Sequence, residues 1–177
     1  DTVPGRTTKW AGHFAARVAL SYPEAAPFYP KEITALTGQP IRESLLPFEE
    51  YEHVYGAKQP PTILIIGGSQ GSKNMNEAML RILPDLLSSY DIVHQTGEAN
   101  LEDMKKVTAS ILREHPYKDH YFLDGFIDVG IFYPKVDFVI TRAGSMMFEI
   151  VQWQLPMLVI PIPEAISRDQ RSNAYAM

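Results

Sequence analysis

The stretch TILIIGGSQGSKN, residues 62–74, runs from four consecutive aliphatic residues into a glycine-rich turn. A turn between a buried strand and a helix start brings unpaired N–H groups and about half a positive charge to one point. Phosphate groups bind at such places. Gly68 and Gly71 let the backbone approach a ligand, and Ser69 and Gln70 add hydrogen-bonding side chains. A tight turn without a ligand would use the same glycines, so both interpretations stay open.

Two better-known phosphate motifs do not fit this turn. A dinucleotide fingerprint, G-x-G-x-x-G, has no match from Gly67 or Gly68, because serine, glutamine or lysine stands where its later glycines belong. A P-loop requires lysine directly after its last glycine, but Ser72 intervenes here. Asn74 replaces the Ser or Thr that would meet magnesium. The turn is therefore predicted to use neither of these binding modes.

A second loop, TRAGSMMFEI at 141–150, carries an acidic residue. It runs from an aliphatic strand through Gly144 to a helix start, and Glu149 lies just over one turn into that helix. A carboxylate there can accept two hydrogen bonds from the vicinal hydroxyls of a ribose. A glutamate in a first helical turn also interacts favourably with the helix dipole, so that interpretation stays open as well.

A third loop, IPEAISRDQRSNA at 162–174, is polar and ends at a helix start. Asp169 and Gln170 could either cap this helix or reach the hydroxyls of a sugar. Considered alone, the loop favours capping.

The elements that must position these loops alternate between strand and helix. Strands are predicted at 33–36, 62–66, 91–95, 121–125, 138–141 and 157–161, and helices at 7–20, from Pro23, through Met75–Leu87, at 100–114, 128–134 and 145–154, and from about residue 168. In the helix after residue 66, one continuous apolar stripe is predicted, formed by Met75, Met79, Ile82, Leu83, Leu86 and Leu87. This order predicts an α/β fold, a Rossmann-like parallel sheet with helices on both faces. Ligands of such sheets bind at the carboxyl ends of the strands, where the three loops lie.

Composition excludes several functions. The net charge is −5 and the 16 basic residues are dispersed, so we expect no nucleic-acid partner. The chain has no cysteine, which excludes disulfides and thiolate chemistry and is typical of the cytoplasm. No apolar run approaches the ~20 residues that span a bilayer. The chain opens on DTVPGRTTKW and ends at SNAYAM inside a predicted helix, so we expect a fragment.

In chain order, GGSQG and then RAG with its glutamate resemble the donor half of a bacterial enzyme family. This family adds N-acetylglucosamine to lipid-linked muramyl-pentapeptide in peptidoglycan synthesis. The family's order and approximate spacing also match DTVPGRTTKW, SYPEA, TGQPIR, HQTG, FIDVG and DQRSNA, so the resemblance covers almost the whole chain. It implies the C-terminal half of a type-B glycosyltransferase fold plus a remnant of the N-terminal domain. Residues 1–42 would be the end of the acceptor domain and the hinge, and residues 43–177 the donor-binding domain.

The resemblance implies a UDP-sugar site formed by Arg42, Gly68, Ser69, Gln70, Gly71, Ile127, Gly144, Glu149, Asp169 and Gln170. The glycine turn would hold the diphosphate, with Arg42 nearby. Ile127 would contact uracil through its backbone and Glu149 would bind the ribose, while Gln170, beside Asp169, would contact the sugar hydroxyls.

Two departures from the family bear on this site. Gly130 stands where the family usually has methionine, and RAGSMMFE is one residue shorter than the usual spacing between RAG and the glutamate.

The resemblance also implies a reaction with inversion, in which UDP-GlcNAc is the donor substrate and neither a metal nor a cofactor takes part. The acceptor, undecaprenyl-linked muramyl-pentapeptide, and the catalytic histidine would belong to the domain upstream of residue 1. We therefore expect this chain to bind donor without turnover, and the full protein to lie on the cytoplasmic face of the inner membrane. Another UDP-sugar transferase or epimerase, or a non-catalytic nucleotide-binding subunit, stays open as an alternative.

Overall fold

A computed structural model describes residues 1–48, 51–52, 54, 59–68, 71–162 and 170–177. The helices are α1 (Arg6–Gly12), α2 (Lys73–Leu87), α3 (Glu98–Ile111), α4 (Val129–Phe132), α5 (Met146–Gln152) and α6 (Gln170–Tyr175). The strands are β1 (Val18–Leu20), β2 (Thr34–Leu36), β3 (Thr62–Ile66), β4 (Asp91–Gln95), β5 (Tyr121–Asp124), β6 (Phe138–Thr141) and β7 (Met157–Val159). Of the helices in these ranges, none combines the length and apolar character needed to span a bilayer.

Five parallel strands form the main sheet in the order β5-β4-β3-β6-β7. The chain moves outward from β3 through β4 to β5 and then returns to the other side of β3 for β6 and β7. The direction of winding therefore reverses between β3 and β6. Their last residues, Ile66 and Thr141, pair in register, and Gln95 of β4 pairs with Ile66 on the opposite side. The loops that follow these three strands consequently begin at the same level of one sheet edge.

Alternate residues of β3 face two separate cores. Leu64 and Ile66 pack in a cluster with Tyr133 and Ile150, which come from the segments around α4 and α5. Ile63 and Ile65 pack on the other face, where α2 contributes Met75, Met79, Leu83 and Leu87. All five residues of β3 are buried. The predicted parallel sheet with helices on both faces is therefore confirmed.

The buried face of α2 differs at one position from the predicted stripe. Met75, Met79, Leu83 and Leu87 are buried and Leu86 is partly buried, but Ile82 is 41% exposed. Asn76 explains the difference, because its buried side chain donates to the Thr96 carbonyl and faces His94. The helix turns Asn76 toward the sheet, which leaves Ile82 on the opposite flank.

The helix predicted at 7–20 is also wrong in its second half. Helix α1 ends at Gly12, and residues Val18–Leu20 instead form β1, which pairs in parallel with β2. At Gly12 a Cβ atom would lie 2.5 Å from the Tyr29 ring, so the helix end packs tightly on a residue distant in sequence. Trp10 and Phe14 remain 67% and 76% exposed. The predicted domain boundary after residue 42 stays a prediction.

Candidate functional site

A cleft of about 730 Å³ lies at the carboxyl ends of the strands, where β3 and β6 adjoin. Its volume is within the range of small-molecule sites. The cleft is lined by Arg42, Ser44, Leu45, Gly67, Gly68, Gly71, Gln95, Phe126, Ile127, Asp128, Val129, Thr141, Arg142, Gly144, Ser145, Met146, Glu149 and Gln170. The winding of the sheet reverses at this place, and open α/β sheets bind ligands there.

Most of the predicted site residues come together in this cleft. They are Arg42, Gly68, Gly71, Ile127, Gly144, Glu149 and Gln170. The predictions for Ser69, Gln70 and Asp169 fall outside the described residues. The geometry thus brings seven of the predicted residues around one volume, and their roles toward a ligand stay predictions.

The glycine turn needs its glycines for two different reasons. Gly68 and Gly71 have φ angles of +90° and +70°, which side-chain-bearing residues rarely adopt. At Gly71 a Cβ atom would also lie 1.8 Å from the Thr96 carbonyl oxygen, so the turn packs directly on the loop after β4. Ser72 caps α2 by accepting a hydrogen bond of 3.4 Å from the Met75 N–H. The turn thereby carries the chain from β3 into the first turn of α2 beside the cleft.

Gln95, the last residue of β4, lines the cleft although it was not predicted as a site residue. Its Nε2 donates to the Gly68 carbonyl over 2.9 Å, and its Oε1 accepts from the Ile127 N–H over 3.0 Å. The Ile127 N–H is therefore already bonded within the protein. Gln95 belongs to the HQTG motif, and its place at the carboxyl end of a strand beside β3 is the sequence signal that marks it.

Arg142 is a second cleft residue that was not predicted. Its Nη1 donates to the Gly67 carbonyl over 3.3 Å, which ties the loop after β6 to the glycine turn. Burial lowers the pKa of this guanidinium from its usual value. Because Arg42 lines the same cleft, two arginine side chains contribute to its wall. The sequence signal for Arg142 is its place directly after a predicted strand, within the RAG motif.

Glu149 lies in the cleft despite the shortened spacing after RAG. Its Oε2 accepts a hydrogen bond of 3.2 Å from the hydroxyl of the fully buried Tyr133. Burial raises the pKa of the Glu149 carboxyl, while the Tyr133 hydrogen bond and the Arg42 charge act in the opposite direction. Burial, and then the nearby Glu149 charge, also raises the pKa of Tyr133, so its hydroxyl keeps its proton and remains a donor.

Gly144 and Gly130 differ in the space that surrounds them. A Cβ atom at Gly144 would meet nothing within 4 Å, so this glycine borders open space. A Cβ atom at Gly130 would lie 3.2 Å from Cδ2 of Leu45, which is fixed in turn by a 2.8 Å hydrogen bond from Trp153 Nε1 to its carbonyl. A side chain at position 130 would therefore contact the segment that follows Arg42.

Helix α6 is held to the cleft by Asn173. The buried amide of Asn173 donates to the Ala143 carbonyl over 3.2 Å and accepts from the Thr2 N–H over 2.8 Å. Gln170, the first residue of α6, accepts from the Ile162 N–H over 3.3 Å. Asn173 therefore fixes the helix beside the loop that carries Gly144.

The histidines that the structure describes all lie outside the cleft lining. His94 is buried between Tyr121 and Asn76, on the face of the sheet that α2 covers. His120 contacts Asp91 over 2.6 Å. His13 is exposed and its Nδ1 lies 2.9 Å from the Lys9 carbonyl. His53 lies outside the described residues. Within those residues, no group of three or more His, Asp or Glu could hold a metal ion.

Residues 62–177 match a family model described as the glycosyltransferase family 28 C-terminal domain. Among curated proteins, the UDP-N-acetylglucosamine--N-acetylmuramyl-(pentapeptide) pyrophosphoryl-undecaprenol N-acetylglucosamine transferase 2 of Bacillus anthracis is 37% identical over 98% of this chain and 49% of its own length. The transferase of the same name, without the number, from Geobacter sp. (strain M21) is 34% identical over 100% of this chain and 47% of its own length. The chain thus spans about half the length of the curated relatives it matches.

A solved structure has the same fold over most of the chain. The crystal structure of Acinetobacter baumannii MurG superposes with a TM-score of 0.64 and 26% sequence identity. The match covers 96% of this chain and 46% of the MurG chain.

Proposed function

The chain belongs to the glycosyltransferase family 28 C-terminal domains, and we propose that it binds the UDP-N-acetylglucosamine donor of a peptidoglycan glycosyltransferase. Its relatives in Bacillus and Geobacter are named as transferases of N-acetylglucosamine to a muramyl-pentapeptide on undecaprenol. We propose the same reaction for the full protein, in which residues 43–177 would form the donor domain.

The observation that carries the proposal is the common cleft of the glycine turn and Glu149. Gly68 and Gly71 of the glycine turn lie about 80 residues before Glu149 of α5 in the chain, yet all three line the same volume where the sheet reverses. A uridine diphosphate offers a diphosphate, a ribose diol and a base along one extended molecule. The cleft offers a glycine turn, a carboxylate and a backbone segment, which we assign to these three parts.

The diphosphate would lie at the glycine turn. The two glycines let the backbone come close to the phosphates, and Ser72 starts a helix of 15 residues whose N-terminus favours negative charge. Arg42 and Arg142 supply two guanidinium groups, which form strong charge-assisted hydrogen bonds with phosphate. These donors would also stabilise UDP as the leaving group, because its negative charge grows while the glycosidic bond breaks.

The nucleoside would lie between Ile127 and Glu149. The Tyr133 hydroxyl donates to Oε2 of Glu149. We assign Oε1 of the same carboxylate to the ribose hydroxyls. The Ile127 N–H bonds to Gln95, so we assign uracil recognition at this residue to its carbonyl, which could accept from the N3–H of the base. Gln170 borders the cleft from α6 and would contact the sugar together with Asp169.

The transfer itself would need a hydroxyl of the acceptor to attack the anomeric carbon from the face opposite to UDP, which gives inversion. A base must take the proton of that hydroxyl. Since the described histidines lie outside the cleft, we place the base beyond the described residues of this chain. The lipid carrier of the acceptor places the full protein at the cytoplasmic membrane surface in this proposal.

Thermal unfolding with added ligands tests the donor proposal. A ligand that binds only the native state stabilises it by RT ln(1 + [L]/Kd), so UDP and UDP-GlcNAc should raise the melting temperature. UDP-galactose at the same concentration tests the choice of sugar. If NADH raises the melting temperature while UDP does not, the proposal is wrong.

Glu149→Ala should lower the UDP-dependent increase in melting temperature. Glu102→Ala is the matched control, because Glu102 is exposed on α3 and lies outside the cleft lining. Equal increases for the two variants would contradict the assignment of Glu149.

A further inference from the structure

Gln95 connects two loops of the cleft that have no other hydrogen bond to each other among the described residues. Gln95 is only 3% exposed. Nε2 donates to the carbonyl of Gly68 in the glycine turn, and Oε1 accepts from the N–H of Ile127 in the loop after β5. A carbonyl partner requires a donor and an N–H partner requires an acceptor, so the orientation of the amide is unambiguous.

The two partners differ in how firmly the core holds them. Ile127 is 4% exposed and packs in the core cluster with Leu64 and Ile66. Gly68 has no side chain to pack, and its φ of +90° is accessible to glycine. Its carbonyl is held by two donors, Gln95 and the Gly71 N–H at 2.9 Å. The turn packs on Thr96 at Gly71, but a Cβ atom at Gly68 would meet nothing within 4 Å. Gln95 therefore links the firmly packed Ile127 to the part of the turn that has no packing of its own.

We infer that Gln95 is a positioning residue, which sets the distance between the part of the cleft for the base and the part for the diphosphate. The inference rests on the proposed function, because it takes Ile127 as the contact of uracil and Gly68 as part of the diphosphate site. The planar amide of Gln95 contacts both loops at once, so it fixes their separation. A shorter or apolar side chain leaves that separation to vary.

This role has a specific consequence for affinity. A ligand that binds two sites at once gains affinity from the link between its two ends only when the separation of the sites matches the length of the ligand. UDP bridges the two loops, whereas pyrophosphate engages the glycine turn alone. Loss of the Gln95 bridge should therefore weaken UDP much more than pyrophosphate. A general loss of stability would not separate the two ligands, provided that binding is measured well below the melting temperature.

The test uses three variants of the chain and isothermal titration with UDP and with pyrophosphate. Gln95→Met has a similar length but makes neither hydrogen bond. Gln95→Asn keeps an amide that is one methylene too short to reach both partners, and it serves if the methionine variant does not fold. Gln152→Met is the control, because Gln152 is exposed on α5 and lies outside the cleft lining.

We expect both Gln95 variants to bind UDP about tenfold more weakly than the parent, because one buried and one partly buried hydrogen bond are lost. Pyrophosphate should change much less, and Gln152→Met should bind like the parent. Parental UDP affinity in a Gln95 variant, or an equal loss for UDP and pyrophosphate, would overturn the inference alone. A parent chain that does not bind UDP would overturn the proposed function and this inference with it.

Discussion

The hydroxyl of Tyr133 donates a 3.2 Å hydrogen bond to Oε2 of Glu149. Tyr133 is fully buried in the core cluster that contains Trp153, so it offers the carboxylate a fixed donor. The bond favours the ionised form of Glu149 against the burial that raises its pKa. The core thus orients the one acidic side chain to which we assign the ribose.

Tyr133→Phe should shift the pH dependence of UDP binding. Removing the hydroxyl takes away a group that lowers the pKa of Glu149, so that pKa rises further. The ionised carboxylate that accepts the ribose hydroxyls is then lost at a higher pH. Titrations of UDP across the acidic range should show the decline of affinity displaced to higher pH than in the parent. Tyr175→Phe is the control, because Tyr175 is 91% exposed. Superimposable curves of UDP affinity against pH for the parent and Tyr133→Phe would contradict the prediction.

Gly71→Ala and Gly144→Ala should separate folding from binding. The first places a methyl group against the Thr96 carbonyl at a φ of +70°, and it should lower the free energy of unfolding by about 2 to 5 kcal/mol. The second meets nothing within 4 Å and should leave stability within about 0.5 kcal/mol while its methyl group enters the cleft and weakens UDP. Chemical denaturation and UDP titration measure the two effects. A stable Gly71→Ala variant would show that the turn is not packed on Thr96 as described.

His94 should make the chain less stable in mild acid. Burial lowers the pKa of His94 to about 4. Asn76 donates its amide hydrogen to Thr96 and turns its oxygen to His94 Nε2, so the neutral ring carries its proton there and accepts from the Tyr121 hydroxyl at Nδ1. The ordinary pKa of histidine is ~6.5. Between this pH and the lower pKa of His94 in the native chain, the unfolded chain binds a proton that the native chain does not. The contribution of His94 to stability is therefore complete above that window and declines as pH falls through it, by up to about 3 kcal/mol.

Denaturation from neutral pH down to about pH 4 checks this prediction. His94→Gln should lose less stability over that interval than the parent, although it is less stable at neutral pH. His13→Gln, at an exposed histidine, should keep the parental pH dependence. The prediction is wrong if the parent and His94→Gln decline in parallel.

Arg142→Gln should weaken UDP more than it weakens uridine. The guanidinium lies beside the glycine turn, and a charge-assisted hydrogen bond to phosphate contributes about 1.5 to 3 kcal/mol. We therefore expect a loss of about tenfold to a hundredfold for UDP. Arg113→Gln, at an exposed residue outside the cleft lining, is the control for charge. An equal effect of Arg142→Gln on uridine and UDP would contradict a phosphate contact.

The central sheet could be predicted from the sequence because its buried strands are short segments with consecutive aliphatic residues, separated by turn and helix patterns. Strands β3, β4 and β6 have the predicted bounds. The helix at 7–20 was wrong because its apolar spacing is a local signal, whereas β1 forms through pairing with a strand 16 residues further along. Local periodicity contains no information about such a partner.

The candidate site was predicted through loops, so residues that act from strands and cores were missed. Glycines in loops and a glutamate near a helix start stand out in a sequence. Gln95 and Tyr133 do not, since one ends a strand and the other lies in a core, and their hydrogen-bond partners are distant in the chain. Arg142 was visible as the first residue after β6, but its contact with Gly67 depends on how β3 and β6 pair.

A crystal structure of the chain with UDP-GlcNAc tests the central claim most directly. The account predicts electron density for the diphosphate at Gly68–Gly71, for the ribose within hydrogen-bond distance of Glu149, and for uracil beside Ile127. Clear density for the nucleotide at any other place on the chain, with the cleft empty, would contradict it.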